Sequence, residues 1–314
     1  MASKKRVICG LSVAAVWLAA IFLLPTWGLA AVLAGGALVC LYELCAMLRK
    51  AGYRVPFVML AVATTLWFAG MYGAIFGTPD IQGQPNFEWL GLLLPIVVVA
   101  MAFGVPFGCL LRAKLEKPME TMALTAFSFF YVPVLLSLFL AVVASATVHG
   151  DCACEYEMRR EGGIFLALAL VVAVKMCDTG GYFIGSAFGK HKMCPRLSPG
   201  KSWEGTLGGY LFAFAATGGL VALAHAYPKS SWLITLYHET ATGPRMAWFF
   251  ATIAVVVTVG ILGDLLESLF KRQCGVKDSS ALFPAMGGFF DTFDSVIFVP
   301  AAYLGMMVLG KAFL

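Results

Sequence analysis

Charge is what this chain has least of. Only 12% of its 314 residues are Asp, Glu, Lys or Arg, while 61% are hydrophobic. A soluble globular domain carries about 25% charged residues. Half that density cannot cover a water-exposed surface, so a soluble globular protein is excluded and the bilayer becomes the solvent for most of the chain. Histidine is scarce too: His149, His191, His225 and His238 are the four present. Only His191 falls among the motif residues described below, and it reads as a surface residue. No plausible Ser/His/Asp set exists, which argues against triad chemistry. There is no internal repeat, heptad seam or low-complexity tract. Cysteine is not scarce, but Cys9, Cys40, Cys45, Cys109 and Cys177 lie in apolar runs and read as small apolar packers. Cys152 and Cys154 share one loop and supply only half of a four-ligand zinc shell.

What is present is a series of apolar runs. A bilayer span needs about 20 mostly apolar residues. Nine segments qualify, roughly 7–24, 27–48, 55–77, 89–111, 119–144, 163–187, 205–225, 246–270 and 293–313. The first follows MASKKR but lacks a clear small-residue cleavage site, so it reads as a span and not a signal peptide. The fifth is expected to be kinked at Pro133. The polar stretch 78–88 reads as an external turn. The expected fold is therefore all-α, a polytopic transmembrane helical bundle of about nine spans. Residues 1–150 are expected to form scaffold helices, possible oligomer contacts included, and 151–314 a catalytic region.

The basic residues give this bundle an orientation. Lys4, Lys5 and Arg6 share one side with Arg49, Lys50, Arg54, Arg112, Lys114 and Lys117. Lys190, Lys192, Arg196, Lys201, Lys271, Arg272 and Lys277 fall on that side too. The opposite side holds Arg159, Arg160, Lys229, Arg245 and Lys311, and Lys175 lies within a span. The positive-inside rule then makes the N-terminus cytoplasmic. It also places the loops 188–204 and 271–292 inside, where nucleoside triphosphates are available.

Carboxylates near a membrane core cost several kcal/mol and tend to be functional. Asp264, Glu267, Ser268 and Lys271 are spaced to share one face of a helix. Downstream follow Lys271-Arg272, Lys277-Asp278, Gly287-Gly288, and then Asp291 and Asp294, again three apart. Two acidic faces separated by a basic, glycine-containing loop suit a metal-assisted phosphoryl site. The carboxylates hold Mg²⁺, with room for a second cation, and the cationic side chains neutralise phosphate oxygens. A second polar cluster runs from Lys175 through Asp178, Gly180, Gly181, Gly185 and Gly189 to Lys201. Its glycines allow close backbone approach to a phosphate or to a neighbouring helix, and Lys175 and Asp178 could simply pair with each other. Gly200-Lys201-Ser202 does not complete a P-loop, because the first glycine of that pattern is replaced by Pro195 and no soluble strand precedes it.

The block Ser268-x-x-Lys271-Arg272, Lys277-Asp278, Gly287-Gly288, Asp291-x-x-Asp294 resembles the signature of the phosphatidate cytidylyltransferases, also called CDP-diacylglycerol synthases. The stretches Asp178…Gly181-Tyr182-Phe183…Gly189-Lys190 and Ser198-Pro199-Gly200-Lys201-Ser202-Trp203-Glu204-Gly205 resemble the family's other block. The resemblance covers roughly the C-terminal 45% of the chain, and the first half matches only as apolar spans. It implies Asp264 and Asp291 as chief metal ligands with Asp294 beside them. It implies Asp264, Lys271 and Asp291 as the catalytic set. Lys271, Arg272, Lys277 and Asp278 would lie at the triphosphate or lipid phosphate. Ser198, Lys201 and Ser202 would lie at the nucleotide or headgroup, and Asp178 in the polar cavity. Three positions depart from the family pattern: Met286 where His is usual, Ala285 where Gly is usual, and Thr292 where Arg is usual.

The reaction so implied joins CTP or dCTP to phosphatidic acid at the cytoplasmic face of a bacterial inner membrane. Membrane lipids are its surroundings, nucleic acid plays no part, and a homodimer is open to it. Acidic side chains from two neighbouring helices would meet at the cytoplasmic rim around a divalent cation. Two other readings stay open at this point: a CTP-dependent polyprenol or dolichol-type lipid kinase, and a catalytically weakened relative. A transporter would place its ionisable groups near the midplane of paired repeats, which this sequence lacks.

Overall fold

The structure, a computed structural model, describes residues 24–77, 96–100, 104–106, 117–145, 156–280, 282 and 287–313. Nearly all of the expected span 7–24, most of 89–111, the loop 78–88, Cys152, Cys154, Ala285 and Met286 lie outside these residues. Among the described residues, six helices are long and apolar enough to cross a membrane: Thr26–Lys50, Phe57–Phe76, Pro118–Ser145, Arg160–Phe188, Trp203–Ala226 and Gly243–Gln273. They correspond to the second, third and fifth to eighth expected segments. The ninth appears as a shorter apolar helix, Val299–Phe313. A helical, multi-pass membrane architecture follows. One feature was not expected from the sequence, a short antiparallel hairpin of β1 (Lys192–Cys194) and β2 (Ser198–Ser202).

The chain divides into two compact units. The first draws on 1–140 and 270–293, the second on 141–269 and 294–314. In the first unit, α1 (Thr26–Lys50) packs on α2 (Phe57–Tyr72). Largely apolar sequence makes both helices, and Lys50 with Arg49 complements the carbonyl end of α1. The long apolar segment that follows is built as α3 (Pro118–Phe129), a π-helical turn (Phe130–Val134) and α4 (Leu135–Ser145). Pro118 opens α3, where its missing N–H removes no helical bond. The π turn contains Pro133, where the sequence suggested a kink. Proline cannot donate to the helical ladder, and the ladder widens locally around it. Just beyond it, Ser137 donates from its hydroxyl to the carbonyl of Val134 and accepts from Trp67 Nε1 at 2.8 Å. The buried indole is thereby satisfied. Phe127, Tyr131, Phe270 and Phe290 form an aromatic cluster with centroid separations of 5.1–6.0 Å. It seats Phe270 and Phe290 against α3 and the π turn.

The second unit centres on α5 (Tyr156–Phe188) and α6 (Trp203–Ala226), joined through the hairpin. Ser202 ends β2 and caps α6, its hydroxyl accepting from Gly205 N–H at 3.1 Å. The two helices approach closely because glycines line their contact. A Cβ at Gly209 would lie 2.6 Å from Cys177 Sγ and 2.8 Å from the Cys177 carbonyl oxygen. The short α7 (Ile234–Glu239) packs on α5 and α6. The long α8 (Gly243–Gln273) carries its body in this unit and its last turn in the first. The short α9 (Phe290–Phe293) belongs to the first unit, and α10 (Val299–Phe313) packs on α5 in the second.

Replacing Gly209 with Val should lower the thermal unfolding midpoint in detergent, by the equivalent of about 1–3 kcal/mol for an overpacked contact. Gly218→Ala is the control, because a Cβ there meets nothing within 4 Å. It should leave the midpoint unchanged or raise it slightly.

Candidate active site

In the second unit, α8 carries Asp264 and Glu267 one turn apart, as their spacing requires. The turn before α10 brings Asp294 to them. One oxygen from each carboxylate lies within 4.8 Å of the others. Glu267 is fully buried, Asp294 is 7% exposed, and Asp264 is partly exposed. This approach depends on a small residue beside Asp264: a Cβ at Gly263 would lie 2.6 Å from the Asp294 carbonyl oxygen. Three carboxylates in a poorly solvated place repel one another. Lys201, from β2, offsets part of this, with Nζ 2.8 Å from Asp264 Oδ2 and donating to the Ile261 carbonyl at 3.2 Å. Next to Asp294, Ser295 accepts from Lys175 Nζ at 2.8 Å and donates to Asp178 Oδ2 at 3.1 Å. Lys175 also pairs with Asp178 at 3.3 Å, the i, i+3 contact open from the sequence.

Three hard oxygen donors converging at this separation fit a divalent cation such as Mg²⁺, whose ligand oxygens sit about 2.0–2.1 Å from the metal. Asp264, Glu267 and Asp294 are the residues that would hold it. Glu267 was read from the sequence as a neighbour on the helix face and not as a ligand. Its place in the set depends on how deep its face of α8 lies, which spacing alone does not tell.

In the first unit, Asp291 lies on α9 and Lys271 on the last turn of α8. Lys271 Nζ sits 3.1 Å from Asp291 Oδ1, and their side chains are 14% and 8% exposed. Asp291 also accepts from the backbone N–H of Ser279 (3.1 Å) and of Gly288 (2.7 Å), both to Oδ2. The turn leading to it needs glycine twice. Gly287 has φ +91°, and a Cβ at Gly288 would run into Ser279 Oγ and Glu43 Oε2. Glu43, about two turns before the end of α1 and 2% exposed, accepts from Ser279 Oγ (2.9 Å), Ser280 Oγ, Phe289 N–H (3.0 Å) and Phe290 N–H (2.8 Å). The sequence reading did not single out Glu43. The signal was there: a lone carboxylate inside an apolar run.

The remaining expected residues are placed as follows. Arg272, Lys277 and Asp278 are exposed around the end of α8, where Gly275 at φ +68° stops the helix. Ser198 opens β2 and is partly exposed, while Ser202 is buried as the cap of α6. Thr292 Oγ1 donates to the Gly288 carbonyl at 3.4 Å. His191 is exposed and its ring nitrogen meets Glu204, which also receives the His191 N–H.

Membrane-length helices whose polar groups gather into an acidic set, with lysines beside them, define a multi-pass membrane protein suited to bind a divalent cation. The chain belongs to the cytidylyltransferase family, whose family model matches residues 4–309. Among curated relatives, a protein of Mycobacterium bovis named phosphatidate cytidylyltransferase is 28% identical over 309 residues, 98% of this chain and 88% of the relative. Proteins of the same name from Haemophilus influenzae and Pseudomonas aeruginosa are 43% and 45% identical over 135 and 131 residues. Those two alignments span only 42% and 43% of the relatives' lengths and 43% and 42% of this chain.

If the three carboxylates accept a cation, millimolar Mg²⁺ or Mn²⁺ should raise the thermal unfolding midpoint of the wild-type protein, since a ligand that binds only the folded state stabilises it. The rise should shrink or vanish in Asp264→Asn and Asp294→Asn. An equal rise in all three proteins would remove the cluster as the binding place.

Proposed function

We propose that this protein transfers the cytidylyl group of CTP or dCTP to phosphatidic acid, releasing pyrophosphate and forming CDP-diacylglycerol. The observation that carries the reading is the Asp264, Glu267 and Asp294 set, approached by Lys201, in a chain of the cytidylyltransferase family. The curated relatives' shared name supplies the lipid substrate.

The reaction is an in-line displacement: a phosphate oxygen of the lipid attacks the α-phosphorus, the bond to the bridging oxygen breaks, and pyrophosphate leaves with that electron pair. The attacking oxygen is already anionic, so no side chain has to remove a proton from it. This agrees with the absence of a triad. A divalent cation, when bound at the carboxylates, neutralises charge on phosphate oxygens. Asp264, Glu267 and Asp294 would hold it, and Asp291 keeps the ligand role that the sequence suggests. Lys271, Arg272 and Lys277 would meet phosphate oxygens of the nucleotide or lipid as fixed positive charges. Lys201 leaves Asp264 when substrate arrives or stays to balance it. Ser198, Ser202 and Asp278 would border the nucleotide or headgroup, and Asp178 would order Lys175 and Ser295 behind Asp294. In this reading the N-terminus is cytoplasmic, the span count is nine, and the site opens to the cytoplasm of a bacterial inner membrane. Residues 151–314 supply most of the chemistry, and 1–150 the scaffold.

Purified protein incubated with phosphatidic acid, Mg²⁺ and labelled CTP should yield a labelled lipid and pyrophosphate in equal amounts. Formation of CDP with a phosphorylated polyprenol would instead identify a lipid kinase, and no turnover would sink the proposal. Asp264→Asn and Asp291→Asn should each reduce turnover by about 100-fold or more, the scale of removing one charge-stabilising group. In the absence of metal Asp264→Asn should leave the unfolding midpoint nearly unchanged, whereas Asp291→Asn, which breaks the buried pair with Lys271, should lower it. Wild-type rates in both would defeat the assignment.

A further inference from the structure

Among the described residues of the first unit Glu43 is the most buried carboxylate, and the proposed chemistry does not use it. A carboxylate buried on a membrane-length helix costs several kcal/mol unless donors meet it. Here four donors converge on its two oxygens, and they come from both ends of one segment. Ser279 and Ser280 supply hydroxyls from the first end, and Phe289 and Phe290 supply backbone N–H groups from the second. The N–H of Phe290 belongs to the first turn of α9, where backbone donors have no helical partner. Asp291 ties the same two ends a second time, through Ser279 N–H and Gly288 N–H. Phe290 is itself fully buried against Tyr131, at a centroid distance of 6.0 Å. Ser279, Ser280 and the stretch Gly288–Phe290 are thus held by two carboxylates, one of them presented from more than two hundred residues away in sequence.

We infer that Glu43 is a positioning residue for the cytidylyl-transfer site: by clamping both ends of segment 279–290 to α1 it fixes Asp291 and, through Asp291, the ammonium of Lys271. The inference rests on the reading given under the proposed function. Glu43 reaches Asp291 and Lys271 by way of their neighbours. It acts through Ser279, whose hydroxyl it holds while the N–H of the same residue is held by Asp291, and through the Phe289-Phe290 backbone that leads into Asp291. An apolar side chain at position 43 could fill the space between α1 and the segment. It could not satisfy the four donors, and each left without an acceptor would favour another backbone path.

Two measurements test this. The first needs no substrate. In Glu43→Ala, hydrogen exchange at the amides of Phe289 and Phe290 should speed up by about tenfold or more, as a lost hydrogen bond worth about 1.5 kcal/mol implies, while amides in the body of α6 keep their rates. Unchanged exchange at Phe289 and Phe290 would overturn the clamp, whatever the protein's activity. The second is a kinetic cycle of Glu43→Gln, Ser280→Ala and the double variant, each compared with the wild type in the CTP and phosphatidic acid assay. Glu43→Gln should lower kcat by about 10- to 100-fold, the cost of a displacement on the scale of 1 Å, with a much smaller change in KM for CTP. Ser280→Ala should lower kcat several-fold alone and by less in the Glu43→Gln background, because the amide offers one acceptor oxygen in place of two and weakens the same interaction. Strictly additive effects, or a folded Glu43→Gln protein with wild-type kcat, would overturn the positioning role. If Glu43→Gln does not fold, Ser279→Ala paired with Ser280→Ala takes its place, and wild-type kcat in that double variant overturns the role. A wild-type protein that makes no liponucleotide would defeat the functional reading, and the exchange experiment would still decide whether Glu43 clamps the segment.

Discussion

A carboxylate carried on a membrane helix must meet its donors inside the protein, because hydrocarbon offers none. That constraint organises the polar part of this molecule. In the first unit, Glu43 and Asp291 accept, between them, the side-chain and backbone donors at both ends of segment 279–290. The aromatic cluster of Phe127, Tyr131, Phe270 and Phe290 then packs the second of these ends on the π turn and the end of α8 on α3 and the π turn. Hydrogen bonds set the direction of the backbone, and ring contacts set its depth. The Lys271–Asp291 pair is a consequence of both, since its two partners stand on the pieces that these contacts hold together.

The second unit meets the same constraint in a different way. There the acidic groups are gathered with one another, with lysines at the margin. Such an arrangement is poor for stability and suited to a cation. It is made possible by small residues. Gly263 lets α8 lie against the backbone at Asp294, and the glycines between α5 and α6 keep the hairpin that bears Lys201 close to its helices. Stability in this unit comes from apolar helix packing, above all between α5 and α6.

Much of this was legible in the chain. Six of the expected apolar segments form membrane-length helices, because a run of about 20 apolar residues has few other ways to satisfy its backbone in lipid. Pro133 marked the place where the ladder changes, since its missing N–H acts locally. The i, i+3 spacing of Asp264 and Glu267 put them on one face for the same local reason. Glu43 was not legible in this way. Its partners lie far along the sequence, and no periodicity links a residue near position 40 with serines near 280. The hairpin over 192–202 was read as a loop, because its strands are short, rich in Gly and Pro, and lack alternation.

By itself, then, the sequence determined the membrane-helical class, the positions of most of the described spans and the family's set of polar residues, all of which follow from composition and short-range spacing. Tertiary structure alone decided which carboxylates keep company: Asp264 with Glu267 and Asp294, Asp291 with Lys271, Glu43 with the ends of segment 279–290. The reason is that helical periodicity reaches only to the next turn, whereas burial and hydrogen-bond satisfaction are settled by whatever other segments the fold brings alongside.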